Sequence, residues 1–178
     1  MSREIQEELK EKYEGFLNNK DKYVIMDSEC SGFQPDDEII EMAIIDLDGK
    51  VLYDSLLKPT KEVSPQLTDI HGITNEALEN KPSFKDEWEK INRIIDGKIL
   101  ITYNGDFDIE ILKNSLKKYE FEVPEFTFEA LMEDMNLLHK RGLPIRVLAE
   151  EELDEYKSLD DCFIILNDII VRYTETYY

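Results

Sequence analysis

The sequence of 178 residues predicts an α/β fold built on a mixed sheet. Two patterns carry this prediction. The first is a run of three buried-strand signals at about residues 23–28, 39–47 and 51–57, the last two joined by Asp48-Gly49. An Asp-Gly pair between apolar runs is a strong two-residue hairpin signal, so these strands should form an antiparallel meander. The second is the alternation of helices and strands that follows, which is typical of a sheet flanked by helices.

The remaining elements are predicted from apolar spacing and from cap residues. Residues 2–19 form an amphipathic helix, because Ile5, Leu9, Tyr13 and Phe16 recur at helical spacing. Start and stop signals place further helices over residues 64–71, 83–95, 106–119, 129–140 and 145–152 and from 158 onwards, a short helical turn after residue 74, and strands over 98–102 and 124–128. We expect residues 1–20 to pack on a single domain that spans residues 21–178.

Composition limits the classes of partner. The net charge is −20, with 41 acidic against 21 basic side chains. Tight nonspecific binding to duplex DNA depends on Lys and Arg, so this charge argues against it but leaves a nucleotide substrate held by metals open. No apolar run approaches the roughly 20 residues of a membrane helix, and no signal-peptide core is present. We therefore expect a cytoplasmic protein without a membrane partner, with its two cysteines reduced.

Two acids end the first predicted strand. Side chains alternate faces along a strand, so Asp27 and Glu29 lie side by side on the face that Ile25 begins. Burying two like charges is unfavourable unless a partner compensates them, and a hard divalent cation prefers carboxylate oxygens. The alternative is that the strand has ended and that both acids are solvated.

Further acids stand at the start of two helices. Asp108 is in phase with Leu112 and Ser115, the stripe that should face the sheet, while Asp160 and Asp161 begin the last helix. Acids in a first helical turn also complement the helix dipole, which is the alternative explanation. If the three segments converge at one sheet edge, four carboxylates suit two cations about 3.5–4 Å apart, as in phosphoryl-transfer sites.

Four short segments resemble the motifs of one nuclease family, in the family's order. Residues 27–32 (Asp-Ser-Glu-Cys-Ser-Gly) resemble its Asp-x-Glu-Thr-Thr-Gly motif, and residues 71–73 (His-Gly-Ile) resemble its His-Gly-Ile segment. Residues 103–108 (Tyr-Asn-Gly-Asp-Phe-Asp) are similar to His-Asn-Ala-x-Phe-Asp, and residues 156–162 (Tyr-Lys-Ser-Leu-Asp-Asp-Cys) to His-x-Ala-Leu-x-Asp-Ala. The family is the DnaQ-like group of DEDD 3′–5′ exonucleases, which includes the epsilon subunit of DNA polymerase III.

The resemblance implies a ribonuclease H-like fold with a mixed five-stranded sheet, in which parallel strands follow the meander. It also implies a two-metal mechanism that releases nucleoside monophosphates from a 3′ end. By the same resemblance, Asp27, Glu29, Asp108 and Asp161 would bind two divalent ions, Mg²⁺ or Mn²⁺. Cys30 and His71 would line the pocket for the terminal nucleotide.

Two residues of the second motif, Tyr103 and Asn104, would lie beside that pocket. The third motif departs from the family, because Tyr156 stands where the family has its general-base His. A sister subgroup uses Tyr-x-x-x-Asp spacing, which would select Asp160; Leu159 and Cys162 frame Asp161 as the His-type motif does, which favours Asp161. Tyr is protonated at neutral pH, so we expect Tyr156 to orient the attacking water. The alternative is that it only packs on the last helix.

The sequence thus predicts a metal-dependent 3′–5′ exonuclease acting on single-stranded or short DNA or RNA. Two alternatives stay open at this point. One is a catalytically impaired protein of the same fold that binds a nucleotide or a protein, motivated by the missing His. The other is a proofreading subunit that works with a polymerase partner.

Overall fold

A computed structural model describes residues 3–132, 134, 158, 161–166 and 169. Its elements in chain order are α1 (Arg3–Asn18), β1 (Tyr23–Cys30), β2 (Ile39–Ile45), β3 (Val51–Leu56), α2 (Pro65–His71), α3 (Asn75–Leu78), α4 (Phe84–Ile95), β4 (Ile99–Thr102), α5 (Gly105–Lys118) and β5 (Thr127–Ala130). Residues 158, 161–166 and 169 are also helical and are called the C-terminal helix below.

The five strands form one mixed sheet in the order β3-β2-β1-β4-β5. The pairs β1–β2 and β2–β3 are antiparallel, whereas β1–β4 and β4–β5 are parallel. The predicted fold class is confirmed. The sheet changes direction at β1, and ligands in open α/β sheets bind beyond the carboxyl ends of strands at such a point.

Helices cover both faces of the sheet. On one face, α4 and α5 bury Phe84, Trp88 and Leu112 against Val24 and Met26 of β1. On the other, Tyr13 and Phe16 of α1 join Ile25, Ile101 and Cys162 in a second buried cluster. Through these two rings α1 packs on the rest of the described chain; the division at residue 20 into helix and domain stays a prediction. Among the described helices, none is both long and apolar enough to cross a bilayer.

The β2–β3 hairpin differs from the predicted two-residue turn. The strands end at Ile45 and resume at Val51, so residues 46–50 form the connection. Gly49 N–H donates to the Asp46 carbonyl at 3.0 Å, and the Asp46 carboxylate accepts from Asp48 N and Lys50 N at 2.9 Å each. An Asp side chain that bonds the backbone ahead of it stabilises a longer turn, and Gly49 supplies the positive φ of 81° that closes it.

The predicted start of the helix over residues 129–140 is wrong. Glu129 and Ala130 belong to β5, where they pair with Ile101 and Thr102 of β4. An open edge on β4 offers a ladder of backbone hydrogen bonds that helix propensity alone does not reveal, and tertiary pairing overrides that propensity. The predicted helices over residues 135–140 and 145–152 lie outside the described residues.

Gly105 allows α5 to begin close to β5. A Cβ on this residue would lie 2.5 Å from Phe128 Cδ2 and 3.0 Å from Ala130 Cβ. We expect Gly105→Ala to lower the free energy of unfolding by about 1–3 kcal/mol, because a methyl group must displace a packed ring. Chemical denaturation measures this. The double variant Gly105→Ala/Phe128→Leu should recover part of the loss, and equal stability of Gly105→Ala and the native chain would contradict the packing argument.

Candidate active site

The two acids of β1 stand beyond the point where its parallel neighbour stops pairing. The last residue of β1 paired with β4 is Ile25, opposite Ile101, whereas β1 continues to Cys30. Asp27 and Glu29 therefore lie on an open carboxyl-terminal edge, on the same face of β1 and both partly buried. The sheet thus holds two adjacent carboxylates partly buried at this edge rather than on a fully solvated strand end.

Asp108 reaches this edge from α5. The helix begins three residues after β4 ends, so its first turn lies at the carboxyl end of the sheet. Asp108 is only 4% exposed, and Ser28 Oγ donates a hydrogen bond to its Oδ1 at 3.3 Å. Asp106, in the same helical turn, is exposed. Dipole complementation accounts for an exposed acid such as Asp106, but a buried acid needs a further reason.

Burial and mutual repulsion raise the pKa values of Asp27 and Asp108; these two acids, with Glu29 and Asp161, are called the acid cluster below. Burial raises the pKa of Asp108 to about 7, with Glu29 adding to the rise while hydrogen bonds from Ser28 and Asn104 oppose it. The pKa of Asp27 lies well above its usual value, because burial and then the charges of Asp108, Asp161 and Glu29 disfavour its ionised form. Asp27 therefore interacts with a carboxylate from each of the other three positions.

This donor set suits a hard divalent cation. Carboxylate oxygens are the ligands that Mg²⁺ and Mn²⁺ prefer, and a cation would remove the repulsion that raises the pKa of Asp27. Within the described residues, no three His, Cys, Asp or Glu side chains are arranged as a ready-made metal site. The acids are close enough for their charges to raise the pKa of Asp27 beyond the effect of burial, but their described side chains do not converge on one point.

The predicted pocket residues are placed in different ways. His71 is buried at the end of α2, and its Nδ1 accepts from Ile73 N at 3.1 Å, so the neutral ring carries its hydrogen on Nε2. Tyr103 and Asn104 are exposed immediately before α5. Cys30 differs, because it packs in the core below α5 and is 5% exposed. Burial raises the pKa of its thiol to about 11, so the thiol is neutral.

The structure describes only part of the third motif, residues 156–162. Asp161 is partly buried and its charge acts on Asp27, as the predicted fourth carboxylate would. Tyr156 and Asp160 lie outside the described residues. The proposed role of Tyr156 therefore stays a prediction, as does the assignment of ligands among these acids.

Two features near the site were not predicted. Glu41, in the middle of β2, is fully buried and pairs in register with Glu29 of β1. Phe33, three residues after β1, is 69% exposed, and its ring lies 5.8 Å from that of Phe107. The sequence holds a signal for the first feature, since an acid interrupts the apolar run of β2, but nothing local shows what the acid meets.

The family model described as Exonuclease (RNase_T) matches residues 24–166 of the chain. The chain belongs to the Exonuclease family. The predicted family is confirmed, and membership of it supports the predicted class of enzyme, a nuclease. The match begins at Val24, one residue into β1, and ends at Leu166, in the C-terminal helix that carries Asp161.

Among its relatives is the PolC-type DNA polymerase III of Thermotoga petrophila, 29% identical over 164 residues. That alignment covers 86% of this chain and 12% of the polymerase. An exonuclease termed CP81 of Escherichia phage 186, itself uncharacterized, is 31% identical over 109 residues, covering 61% of this chain and 56% of that protein. This exonuclease chain thus spans little more than half of one of these relatives and about an eighth of the other.

A solved structure of the nuclease domain of 3′hExo, a DEDDh family member bound to rAMP, shares the fold. It superposes with a TM-score of 0.62 over 86% of this chain and 92% of that one, at 17% sequence identity. The likeness confirms the predicted ribonuclease H-like architecture. At this identity it establishes the fold alone.

Proposed function

We propose that this protein is a metal-dependent 3′–5′ exonuclease that releases nucleoside monophosphates from single-stranded or short DNA or RNA. What supports it most directly is that Asp27 and Glu29 share one face of β1 and that Asp108 and Asp161 lie close enough for their charges to act on Asp27. Maintaining a fold gives no reason to gather four acids around one strand end, because each buried charge without a partner destabilises the folded state. A hydrolytic site that uses divalent cations gives that reason.

In this proposal, Asp27, Glu29, Asp108 and Asp161 hold two divalent cations, Mg²⁺ or Mn²⁺. When bound, these ions activate water and stabilise charge on the leaving oxygen. Ser28 orients Asp108 through its hydrogen bond, so the carboxylate keeps one rotamer. His71 lines the pocket for the terminal nucleotide, with Tyr103 and Asn104 beside it and the Cys30 segment forming the floor.

The charge of the chain favours short single strands over long duplexes. A net charge of −20 repels phosphates, so binding must come from the site itself and from stacking on aromatic rings. The rAMP in the 3′hExo structure and the polymerase relative concern RNA and DNA respectively, and both substrates are retained in the proposal. The polymerase relative also motivates a polymerase as partner; co-purification of a polymerase with the full chain from its host would support that, and its absence would leave the exonuclease acting alone.

Digestion of short 5′-labelled single strands, as DNA and as RNA, tests the proposal. With Mg²⁺ or Mn²⁺ the products should form a ladder that shortens from the 3′ end, and neither chelator lanes nor Asp27→Ala should produce it. Folded protein that cleaves neither strand under either metal would contradict the proposal and favour a binding protein of the same fold. Equal cleavage of long duplex ends would contradict the preference for single strands.

Phe33 offers a stacking surface beside the cluster. Its ring is 69% exposed and contacts Phe107, the neighbour of Asp108. Base–aromatic stacking contributes about 1–3 kcal/mol per base, so Phe33→Ala should raise the KM for single strands roughly tenfold with kcat little changed. Steady-state kinetics on a labelled single strand of about ten nucleotides, a length that occupies one site, measures both constants. Phe33→Tyr, which keeps a ring, is the matched control, and an unchanged KM in Phe33→Ala would exclude the stacking role.

Tyr156 is proposed to orient the attacking water. Its phenol is protonated near pH 7 and is a poor base there, so the hydroxyl would act as a hydrogen-bonding group. We expect Tyr156→Phe to lower kcat by about 10²-fold, the lower range for a positioned acid–base group, while Mn²⁺ binding persists. Calorimetric Mn²⁺ titration and single-turnover kinetics separate the two properties. Unchanged turnover would reduce Tyr156 to a packing residue.

A further inference from the structure

Glu41 is an acid where the fold calls for an apolar side chain. It lies between Ile40 and Met42 in β2, every residue of which is buried. Its direct partner on the neighbouring strand β1 is Glu29, and like charges opposite one another destabilise a sheet. An apolar residue of similar size would usually stabilise such a position, so a specific contact should account for the carboxylate.

That contact is with Ser158 of the C-terminal helix. Ser158 N–H donates to Glu41 Oε2 at 3.1 Å, and Ser158 Oγ donates to the same oxygen at 3.0 Å. Both residues are fully buried. A carboxylate that accepts from both the backbone N–H and the hydroxyl of one residue holds that residue in place, and the charge of the acceptor strengthens both hydrogen bonds. Glu41 Oε1 has no hydrogen-bond partner among the described residues.

Ser158, the residue that Glu41 binds, lies close to the acid cluster. Ser158 lies three residues before Asp161, and helical residues three apart share a face. The Ser158 hydroxyl lies within hydrogen-bonding reach of Asp27 as well as of Glu41, and its single hydrogen serves one of these carboxylates at a time. The backbone N–H of Ser158 bonds to Glu41 whichever way the hydroxyl turns. The contact therefore holds the segment that carries Asp161 against β2 and close to Asp27.

We infer that Glu41 is a positioning residue of the proposed exonuclease site, which anchors the C-terminal helix through Ser158 and so places Asp161 beside Asp27. The inference rests on the proposed function for its catalytic consequence. The anchoring itself is a property of the folded chain and has a separate readout. Glu41 touches neither substrate nor reacting atoms in this scheme, and it acts through Ser158.

Hydrogen exchange and Mn²⁺ binding test the anchoring in the full chain. In Glu41→Leu, the amides at the start of the C-terminal helix should exchange about tenfold faster, while those of α4 keep their protection. The dissociation constant for Mn²⁺, measured by calorimetry, should rise about tenfold, as when an orienting partner of a ligand is removed. Glu41→Gln keeps an acceptor for Ser158 N and should stay within about threefold of the native chain on both measurements.

Glu38→Gln is the matched control. Glu38 is also fully buried at the start of β2, but its carboxylate bonds Thr60, Lys118 and Tyr119 instead. This variant should lower the melting temperature without changing Mn²⁺ affinity or exchange in the C-terminal helix. If Glu41→Leu does not fold, Ser158→Ala removes the hydroxyl half of the contact and should weaken Mn²⁺ binding in the same direction.

The outcomes separate two failures. Native exchange rates in the C-terminal helix of Glu41→Leu, or of Ser158→Ala should Glu41→Leu not fold, overturn the anchoring. Loss of protection together with native Mn²⁺ affinity overturns the link to the site. If Glu41→Gln behaves like Glu41→Leu, the charge and not the acceptor is responsible, which also overturns the inference as stated. A native chain that shows no metal-dependent cleavage refutes the proposed function, while the exchange measurement still decides the anchoring.

Discussion

Asp108→Asn is expected to lose nearly all exonuclease activity and yet give a more stable metal-free protein. The carboxylate is 4% exposed and its pKa is raised to about 7, mainly by burial. Above that pH the ionised group destabilises the folded chain by up to about 4 kcal/mol, whereas neutral Asn keeps the shape and still accepts from Ser28. The cations stabilise the transition state by several kcal/mol, so losing a ligand should lower kcat on the order of a thousandfold.

Asp106→Asn is the matched control for this substitution. Asp106 occupies the same helical turn and carries the same charge, but it is exposed. Its loss should weaken the dipole interaction by only about 0.3–1 kcal/mol and leave kcat within about twofold. Thermal melts in chelator at pH 8, with single-turnover cleavage in Mn²⁺, measure both effects. Equal activities of the two variants would remove Asp108 from the site.

The same pair of measurements decides which aspartate of the third motif, Asp160 or Asp161, is the metal ligand. Asp161 lies close enough to raise the pKa of Asp27, so Asp161→Asn should behave as Asp108→Asn does. Asp160→Asn should stay close to the native chain in activity. The reverse order would assign the ligand to Asp160 and with it the Tyr-x-x-x-Asp spacing that begins at Tyr156.

The second large effect is a fall in metal-free stability as pH rises from about 5 to 8. The pKa of Asp27 and that of Asp108 are both raised on folding, so between their unfolded and folded values the folded chain binds more protons than the unfolded chain. The stabilising contribution of these groups is complete below about pH 4 and is lost as pH rises through the folded value, near 7 for Asp108. Groups with a lowered pKa, such as Glu38, act near and below pH 4.5 and lie outside this window.

Divalent cations should reverse this trend. Bound ions need ionised carboxylates, so Mn²⁺ competes with protons and should raise the melting temperature more at pH 8 than at pH 6. Melting curves in chelator and in Mn²⁺ across this range measure both slopes. Asp108→Asn should flatten the chelator curve, whereas Asp106→Asn should keep its slope, which separates the buried acid from the general repulsion of an acidic chain. A melting temperature that rises with pH in chelator would contradict the shifted carboxylates.

The pattern of the sequence determined the strands and the side of each acid. Strand alternation alone set Asp27 and Glu29 on one face of β1, and helical spacing set Asp108 on the buried face of α5. Both are local periodicities, which depend only on residues a few positions away. The same alternation also puts Cys30 on the opposite face with Met26, so its burial in the core follows from β1 and limits its side chain as a pocket residue.

Tertiary structure decided what each of these groups meets. Glu129 became a strand residue because β4 offered an edge, and Gly105 is required because Phe128 from that strand occupies the adjacent space. The distance from Glu41 to Ser158 spans 117 residues of chain, and the interaction of Asp27 with Asp161 spans more. No local period encodes such contacts. They arise because the carboxyl-terminal part of β1 lies beside the first turn of α5 and beside the C-terminal helix, where burial makes the acids of separate segments interact.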